Sequence, residues 1–495
     1  MSTKLSNLTS SNYGYDMVVS ATQNAINTAL KEFLSTIDSK EIDICYGWNE
    51  DYTAIVQTDY QTLVDAAGVG DFYDLPTGTY HKGSDAEAID DTGFAYAFRA
   101  QMGLPIMDPK SMPDIITLDK GSSIVTYQLY CQEFSILQMA EAAGGKVLNW
   151  TNVSQPDNAP WIFKMNVNLN FRSSDFSKLD QATQDSIKNL NPDSAFSVQQ
   201  LYLDLNSVGL ESLPEITGLD TTTDAYAALS TLITKVFITS YFGDLSTNGV
   251  VLGYVVQPVT YNPNMADPSI VPTDLNIVIS PSLNANGDAN TQDQGYYTLN
   301  YLVMTDQKKM PAPVPFTWNW VEDTDGMDFH GAIAINRNTF ANYLNQKLSP
   351  WLKALCIVPH VTVAQDGLNT DYSVSMQIST DPQTFTLQPA GNTLAGTDSP
   401  GSTVLNFSYS SESSDKAGDG GSLGTLDLKY NVDAAVTVSP TQIVITTNAQ
   451  CYMDISALSA HSTGYPLKYQ SVLTCDMGVD AQGKLVITAE APVVT

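Results

Sequence analysis

The sequence predicts an α+β fold rich in β-structure, in which long amphipathic helices are wrapped by a highly curved antiparallel sheet. One observation is an apolar stripe at helical spacing close to the amino end. Another is a series of segments in which apolar and polar residues alternate, as in strands with one buried and one wet face. The third is a charged fraction of only 15%, so Ser, Thr, Asn and Gln must supply much of the polar surface.

Asp16 to Ile37 is predicted to form the first long helix, because apolar residues recur there every three or four positions. The stripe consists of Val19, Ile26, Leu30, Phe33 and Ile37. Either Asn12 or Asp16 can cap its start. At ~1.5 Å per residue the helix would reach about 32 Å. An ordinary buried helix beside a β-rich core fits the stripe as well, and periodicity alone favours it.

The clearest predicted strand runs from Trp161 to Phe171, where six apolar residues share one face and four of the five residues on the other face are polar. It would span roughly 36 Å, which matches the first helix. Other segments alternate or are rich in strand-forming residues: 42–44, 54–56, 201–205, 250–256, 275–279, 296–304, 372–378, 426–438, 443–445 and 485–487. Between 124 and 139 the period is ambiguous, and a strand is favoured over a helix.

Two more helical regions are predicted. Thr223 to Phe242 carries a second apolar stripe and ends before Gly243. A third region starts from Asn338 as the cap, and Ser349-Pro350 should kink or break it. The Ser/Gly/Asp-rich segment from Ser410 to Gly424 is expected to be a mobile loop.

We expect residues 1–495 to form one elongated unit. Its approximate halves, 1–310 and 316–495, would be joined by the Pro-rich connector at 310–315, which should be stiff and extended.

Charge and cysteine usage limit the partners and the compartment. The formal net charge is −31, so nucleic acid is not expected as a partner, whereas binding of a lipid taken up one molecule at a time is compatible with this charge.

The five cysteines form no CxxC pair and are expected to be mostly buried, reduced thiols. The amino terminus has no apolar signal core, and no run approaches the ~20 apolar residues of a transmembrane segment. We therefore expect a soluble protein made in the cytoplasm, whose release would need a non-classical route.

Catalytic and metal-binding motifs are largely missing from the sequence. None of the four histidines belongs to an HExxH motif, and neither a GxSxG elbow nor a P-loop is present. The acidic turn from Asp323 to Asp328 lacks the spacing of a calcium loop. We expect no enzymatic activity, no cofactor and no metal. A carboxylate pair for glycoside hydrolysis stays open, because the sequence does not reveal separation in space.

An apolar groove between helix and sheet is the functional consequence of the predicted architecture. If the sheet wraps loosely, an acyl chain in that groove would gain ~0.8 kcal/mol for each buried CH₂. Val19, Ile26, Leu30 and Phe33 are the hypothetical channel lining. The alternative is a groove filled by the protein's own side chains.

Four segments carry a family resemblance. They are 12–18 followed by 24–27, then 196–205, then 252–254, and finally Trp318-Asn-Trp320 leading through 331–337 to Phe340 and Tyr343-Leu344. Together they resemble the forty-seven-kilodalton and OrfX proteins of clostridial neurotoxin gene clusters. Tyr15 stands where Trp is more usual, and this chain is longer than the namesake, so the resemblance is to a divergent member.

The resemblance implies a tubular lipid-binding (TULIP-like) fold and an accessory role in a bacterial protein toxin system. It implies a lipid or other apolar ligand, and proteins of the same toxin gene cluster, as partners. It transfers no catalytic residue. The sequence is also compatible with two alternatives to this lipid-binding hypothesis: an interaction scaffold with a filled core and no lipid ligand, and, as the least favoured, a carbohydrate-active enzyme.

Overall fold

The computed structural model describes most of the chain. The described residues are 6–8, 13–36, 41–108, 111–119, 121, 123–142, 147–157, 159–174, 181, 184, 196–204, 215–218, 233, 250–258, 270, 272–305, 308–325, 330–367, 369–389, 401–439, 441–479 and 485–495.

Within these ranges there are four α-helices: α1 (Gln23–Thr36), α2 (Tyr60–Ala67), α3 (Asp85–Asp90) and α4 (Arg337–Leu355). Strands dominate the first part of the chain: β1 (Met17–Thr22), β2 (Glu41–Trp48), β3 (Ile55–Thr58), β4 (Gly78–Tyr80), β5 (Phe94–Met102), β6 (Ile116–Thr117), β7 (Ile124–Leu129), β8 (Cys131–Ala142), β9 (Val147–Ser154), β10 (Ile162–Ser174), β11 (Phe196–Asp204), β12 (Glu215–Thr217), β13 (Val250–Pro258), β14 (Pro272–Ser280) and β15 (Thr298–Thr305). They also dominate the second part: β16 (Gly331–Ile335), β17 (Ile357–Asp366), β18 (Asn369–Ile378), β19 (Thr386–Leu387), β20 (Ser402–Ala417), β21 (Gly424–Val438), β22 (Gln442–Ala457), β23 (Ala460–Val479), β24 (Leu485–Ala489) and β25 (Val493–Val494).

The described strands form five sheets. Four have the orders β14-β15-β1-β16, β13-β11-β10-β7-β6 with β12 beside β10, β3-β2-β5-β8-β9-β4, and the ribbon β17-β18. The fifth has the order β19-β20-β21-β22-β23-β24 with β25 beside β23, and we call it the C-terminal sheet. The paired strands are antiparallel, as the alternating sequences predict.

The predicted architecture of long helices wrapped by one curved sheet is wrong. The described residues are mostly β-structure divided among several antiparallel sheets, and none of their long helices is enclosed by a sheet. The error has a physical source: the strands have very different lengths and bury their apolar faces in separate clusters, so no single sheet is left to wrap a helix.

The predicted first helix is a strand followed by a shorter helix. β1 lies between β15 and β16 and forms backbone ladders with both. Val18 and Val19 are β-branched and favour this extended conformation, while the side chains of Val18, Ser20 and Thr22 alternate into the interior. The Thr22 hydroxyl then accepts a hydrogen bond from the Ala25 amide at 3.2 Å, which satisfies a free amide at the start of α1.

The strands predicted at 42–44, within 124–139, at 161–171, 250–256, 275–279, 296–304, 372–378, 426–438, 443–445 and 485–487 are confirmed. The predicted helix 223–242 lies outside the described residues, apart from the buried Ile233. The third helix is one continuous α4 that contains Pro350, and Asn336 rather than Asn338 is its cap.

The predicted mobile loop 410–424 is wrong. β20 continues to Ala417, a tight turn follows, and β21 begins at Gly424. The outward positions on this part of β20 are occupied by Ser410, Glu412, Ser414 and Lys416. The alternate residues Ser411, Ser413 and Asp415 are half-buried and form hydrogen bonds with the backbone of β17, so this polar stretch is a strand with polar side chains on both faces.

The Pro-rich segment 310–315 belongs to neither a helix nor a strand and lies against Tyr15. The Tyr15 hydroxyl donates to the Ala312 carbonyl at 2.9 Å and accepts from the Val314 amide at 3.3 Å. The division of the chain at this segment stays a prediction.

An apolar groove on the C-terminal sheet

One face of the C-terminal sheet, here called the inner face, is apolar across several strands. Along β21 it is formed by buried residues from Leu426 to Val436. The antiparallel register places Ile445 and Thr447 of β22 beside this row, and Leu473 and Ser471 of β23 beside those two. Because directly opposed residues in neighbouring strands share a face, the apolar surface runs continuously from β21 to β23.

Helix α4 packs on part of this inner face. Phe340, Leu344 and Leu352 belong to the same buried cluster as the β21 row. At the end of the helix the Tyr430 hydroxyl donates to the Leu355 carbonyl at 2.9 Å, which satisfies one of the carbonyls that a helix end leaves free.

The start of α4 is also fixed by side chains. The Arg337 guanidinium donates to the carbonyls of Gln388 at 2.6 Å and Thr403 at 2.8 Å. Burial lowers the pKa of Arg337 because desolvation disfavours the charged form. Further along, Asn345 exchanges side-chain hydrogen bonds with the backbone of Phe385. These contacts hold the helix at a set position over the sheet.

Between α4 and strands β22 and β23 a groove of about 370 Å³ is left unfilled. Its lining is Leu348, Trp351, Ile445, Thr447, Ser471, Leu473 and Pro492. Leu348 and Trp351 are three residues apart and therefore lie on one side of the helix. Trp351 is 38% exposed, so an aromatic ring of the lining reaches solvent.

The groove can bind but has little means of catalysis. None of its lining residues is charged, and its polar side chains are the hydroxyls of Thr447 and Ser471. General acid–base chemistry needs a group that titrates near the working pH, and neither hydroxyl does. The volume lies within the ~300–1,000 Å³ typical of small-molecule pockets.

A second apolar surface lies on the β17–β18 ribbon. Val361 and Val363 of β17 are buried against the C-terminal core, where their amides donate to Ser413 and Asp415 at 3.1 and 2.8 Å. On β18, three side chains share the face that carries Val361. They are Val374, Met376 and Ile378, with exposed fractions of 46%, 47% and 58%.

The four residues of the hypothetical lipid channel lie elsewhere. Val19 is half-buried on β1, opposite Tyr301 and Ile333. Leu30 is buried in the largest core cluster, and Ile26 packs against the same cluster from α1. Phe33 belongs to α1, but its side chain is not among the parts that the structure describes. The structure thus brings Ile26 and Leu30 together, and their role as a channel lining stays a prediction.

Of the four segments that resemble the toxin-cluster proteins, the first and the last meet around β1, whereas the other two pair with each other in strands β11 and β13. Tyr13, Tyr15, Phe316, Trp318 and Trp320 form one aromatic cluster, with ring centroids such as Tyr13–Trp318 and Phe316–Trp320 4.9 Å apart. These residues hold distant chain segments together, because aromatic pairs at this distance add to the stability of a buried cluster.

The predicted helical region that starts from Asn338 and the predicted strand 443–445 contain Leu348, Trp351 and Ile445, whereas no predicted element contains Thr447, Ser471, Leu473 or Pro492. β23 is not among the predicted strands. Its signal is present nonetheless, since Leu467, Tyr469, Leu473, Cys475 and Met477 occupy alternate positions and are interrupted by a single Ser.

The thiol prediction is confirmed: all five cysteines are free and buried. Burial raises the pKa of Cys45 and of Cys131 to about 12. Across the described part of the chain, no group of three or more His, Cys, Asp or Glu side chains is placed to hold a metal ion. The helices within those same ranges are too short or too polar to cross a bilayer.

Comparison with known proteins leaves the family open. No family model matches the chain, and no curated protein matches it significantly. Among the solved structures that match is one titled "Crystal structure of lipopolysaccharide binding protein", which is 9% identical. The match covers 97% of this chain and 83% of that chain with a TM-score of 0.22. This likeness is weak, and at that TM-score it decides neither the fold nor the ligand.

Proposed function

We propose that this protein is a non-enzymatic binder of single lipid molecules, and that the groove between α4 and β22–β23 receives an acyl chain. The observation that carries the proposal is the unfilled groove itself, bounded by Leu348, Trp351, Ile445 and Leu473. Each CH₂ group transferred there from water contributes ~0.8 kcal/mol, so a chain of several carbons supplies a useful affinity without any charged contact.

The electrostatics of the whole chain support uptake of single molecules rather than docking on a membrane. With 53 acidic and 22 basic residues, the protein is repelled by anionic bilayers. An acyl chain in the groove needs no such surface contact.

Native mass spectrometry after gentle purification tests the proposal. We expect a population that carries the mass of one acyl lipid and that loses this mass on collisional activation. A bare protein mass in several independent preparations, together with no uptake of added fatty acid, contradicts the proposal.

A role as an accessory component of a bacterial protein toxin system is part of the proposal, and only the sequence motifs support it. Trp318-Asn-Trp320 with the segment 331–337 resembles the forty-seven-kilodalton and OrfX proteins. Coexpression with the products of adjacent genes, followed by size-exclusion chromatography, tests this role. Elution of the protein at its own mass in every combination counts against it.

The second candidate function is an interaction scaffold, which one specific feature favours. The β17–β18 ribbon presents the exposed Val374, Met376 and Ile378 on a strand whose other edge has no neighbour among the described strands. An extended segment of a partner protein could add to that edge through backbone hydrogen bonds and cover the apolar row.

A further inference from the structure

The opposite, outer face of the C-terminal sheet contains a polar depression of about 670 Å³. Its lining is Asn431, Asp433, Asn448, Ala449, Gln450, Lys468, Tyr469, Gln470 and Thr495. From the geometry of this depression we infer a binding site for a neutral saccharide. The site is independent of the lipid groove, which lies on the inner face.

Six of these side chains form a regular array across three neighbouring strands. The register places Asp433, Asn448 and Gln470 side by side, and the next outward row is Asn431, Gln450 and Lys468. Adjacent strands are ~4.8 Å apart and outward residues along one strand ~6.7 Å, so the array covers roughly 10 by 7 Å. This area suits one or two sugar rings.

The side chains of the array are oriented by hydrogen bonds with one another and with residues of β20. Gln470 Nε2 donates to Asn448 Oδ1 at 2.9 Å, and the Ser410 hydroxyl donates to Asn431 Oδ1 at 2.8 Å. The Ser408 hydroxyl donates to Asp433 Oδ1.

These contacts leave a mixed set of donors and acceptors. Within the described part of the chain, the side-chain NH₂ groups of Asn431 and Asn448 have no hydrogen-bond acceptor, and Asp433 Oδ2 has no donor. Sugar hydroxyls both donate and accept, so they match such a set better than a purely anionic or cationic ligand does.

Two tyrosines stand beside the array. Tyr452 follows Gln450 on the outward side of β22, and the Tyr465 ring packs edge-on against it at 5.4 Å between centroids. Tyr465 is 56% exposed, so much of its ring remains open to solvent beside the contact with Tyr452. An aromatic ring of this kind offers an apolar surface to the C–H face of a sugar.

Charge selects the type of saccharide. Asp433 and Lys468 balance each other at the array, whereas the chain as a whole has a net charge of −31. Sialylated, sulfated and uronic-acid glycans would be repelled, so a neutral glycan is the expected ligand.

The same two strands provide a matched control. Gln442 of β22 and Asp476 of β23 lie on the outer face and form a hydrogen-bonded pair at 2.9 Å, as Asn448 and Gln470 do. They do not line the depression. If the outer face were only a solvent-exposed surface, substitution of either pair would have the same effect on glycan binding. At a binding site, only substitution of the pair that lines the depression weakens binding.

The test uses the full chain on an array of neutral, sialylated and sulfated glycans, followed by isothermal titration calorimetry with each bound glycan. We expect binding to neutral glycans only. The double variant Asn448→Ala/Gln470→Ala and the variant Tyr465→Ala should each weaken it by about tenfold or more, since two polar contacts or one ring contact are lost. The control variant Gln442→Ala/Asp476→Ala should bind as the unmodified protein does.

Three outcomes overturn the inference: no binding to neutral glycans at millimolar concentration by folded protein, binding restricted to anionic glycans, or equal losses in the control variant. Thermal unfolding of each variant verifies its fold, and these substitutions lie on an outward-facing surface. Because the acyl groove is on the other face, lipid binding by the same variants is expected to be unchanged, and so failure here leaves the lipid proposal intact.

Discussion

Lys308 donates to both carboxylate oxygens of Asp16, at 2.8 Å to Oδ1 and 3.0 Å to Oδ2. The same carboxylate accepts from the backbone amide and hydroxyl of Thr305 and from the hydroxyl of Thr339. Asp16 is almost fully buried and precedes β1, whereas Thr305 ends β15 and Thr339 lies in the first turn of α4. One carboxylate therefore joins three elements that are far apart in the sequence.

Replacing that carboxylate should destabilise the fold. Asp16→Asn keeps the shape but removes the charge and part of the acceptor capacity, and we expect a loss of about 2–4 kcal/mol in the free energy of unfolding. Urea unfolding followed by tryptophan fluorescence measures it. Lys308→Met, which removes only the partially exposed ammonium, should cost less. A variant as stable as the unmodified protein contradicts the role of Asp16.

The same site predicts a dependence on pH. Burial alone would raise the pKa of Asp16, but hydrogen bonds from Lys308, Thr339 and Thr305 more than offset it and lower the pKa below 3.8. The stabilisation is therefore fully present above that ordinary value and is lost as pH falls through the lowered pKa. The gap in unfolding free energy between unmodified protein and Asp16→Asn should hold from pH 7 to about 5 and narrow only below about 4. If the gap in unfolding free energy already narrows near neutral pH, the pKa of Asp16 is not lowered.

Arg99 is the centre of a second charged network. Its guanidinium contacts Glu41, Asp43 and Asp71 at 2.8–3.0 Å and lies 4.0 Å above the Tyr73 ring. Lysine cannot reproduce the planar, two-pronged contact with Asp43, so Arg99→Lys should lower the free energy of unfolding by about 1–3 kcal/mol. Lys82→Ala is the control, since its pair with Glu87 is exposed and should contribute less than ~1 kcal/mol. Equal effects of the two variants would show that the geometry at Arg99 is unimportant.

The buried cysteines predict slow thiol chemistry. With a pKa of about 12, Cys45 and Cys131 are almost entirely protonated at pH 8, and the thiolate is the reactive form. Ellman's reagent should therefore react with almost none of the five thiols in folded protein and with all five after unfolding in urea. Rapid reaction of a thiol in folded protein contradicts this burial.

The exposed row on β18 predicts how the scaffold function can be separated from lipid binding. Met376→Lys places a charge in the row and should abolish association with a partner captured by coexpression. Ser375→Lys, on the other face of the same strand, is the matched control and should leave association unchanged. Partner binding that survives Met376→Lys would show that this row is not the contact surface.

The sequence predicted single strands better than their assembly. Alternation at 161–171 and 426–438 identified β10 and β21 because an apolar face must be buried wherever the strand lies. The same reasoning failed at Val19, which fits both the predicted helical stripe and the short strand β1. Pairing with β15 and β16, which are far away in the sequence, decided in favour of the strand.

The candidate groove was also partly predictable. The spacing of Leu348, Trp351 and Ile445 predicts an apolar face on α4 and on β22. Which of these faces pack together depends on the tertiary structure and does not follow from the spacing. Ser471 has the smallest side chain of the groove lining, and a single small residue carries no pattern of its own. The channel proposed along α1 followed from a single curved sheet, which the described strands do not form.

The most direct test of the lipid proposal is saturable binding of a fluorescent fatty acid to three forms of the full chain. Ser471→Trp places a large ring inside the groove, and Val472→Trp places the same ring one residue further on, toward the other face. We expect the unmodified protein and Val472→Trp to bind about one fatty acid per chain, and Ser471→Trp, shown to be folded by its thermal transition, to lose about tenfold or more in affinity. Unchanged binding by Ser471→Trp, or no saturable binding by the unmodified protein, would contradict the lipid proposal.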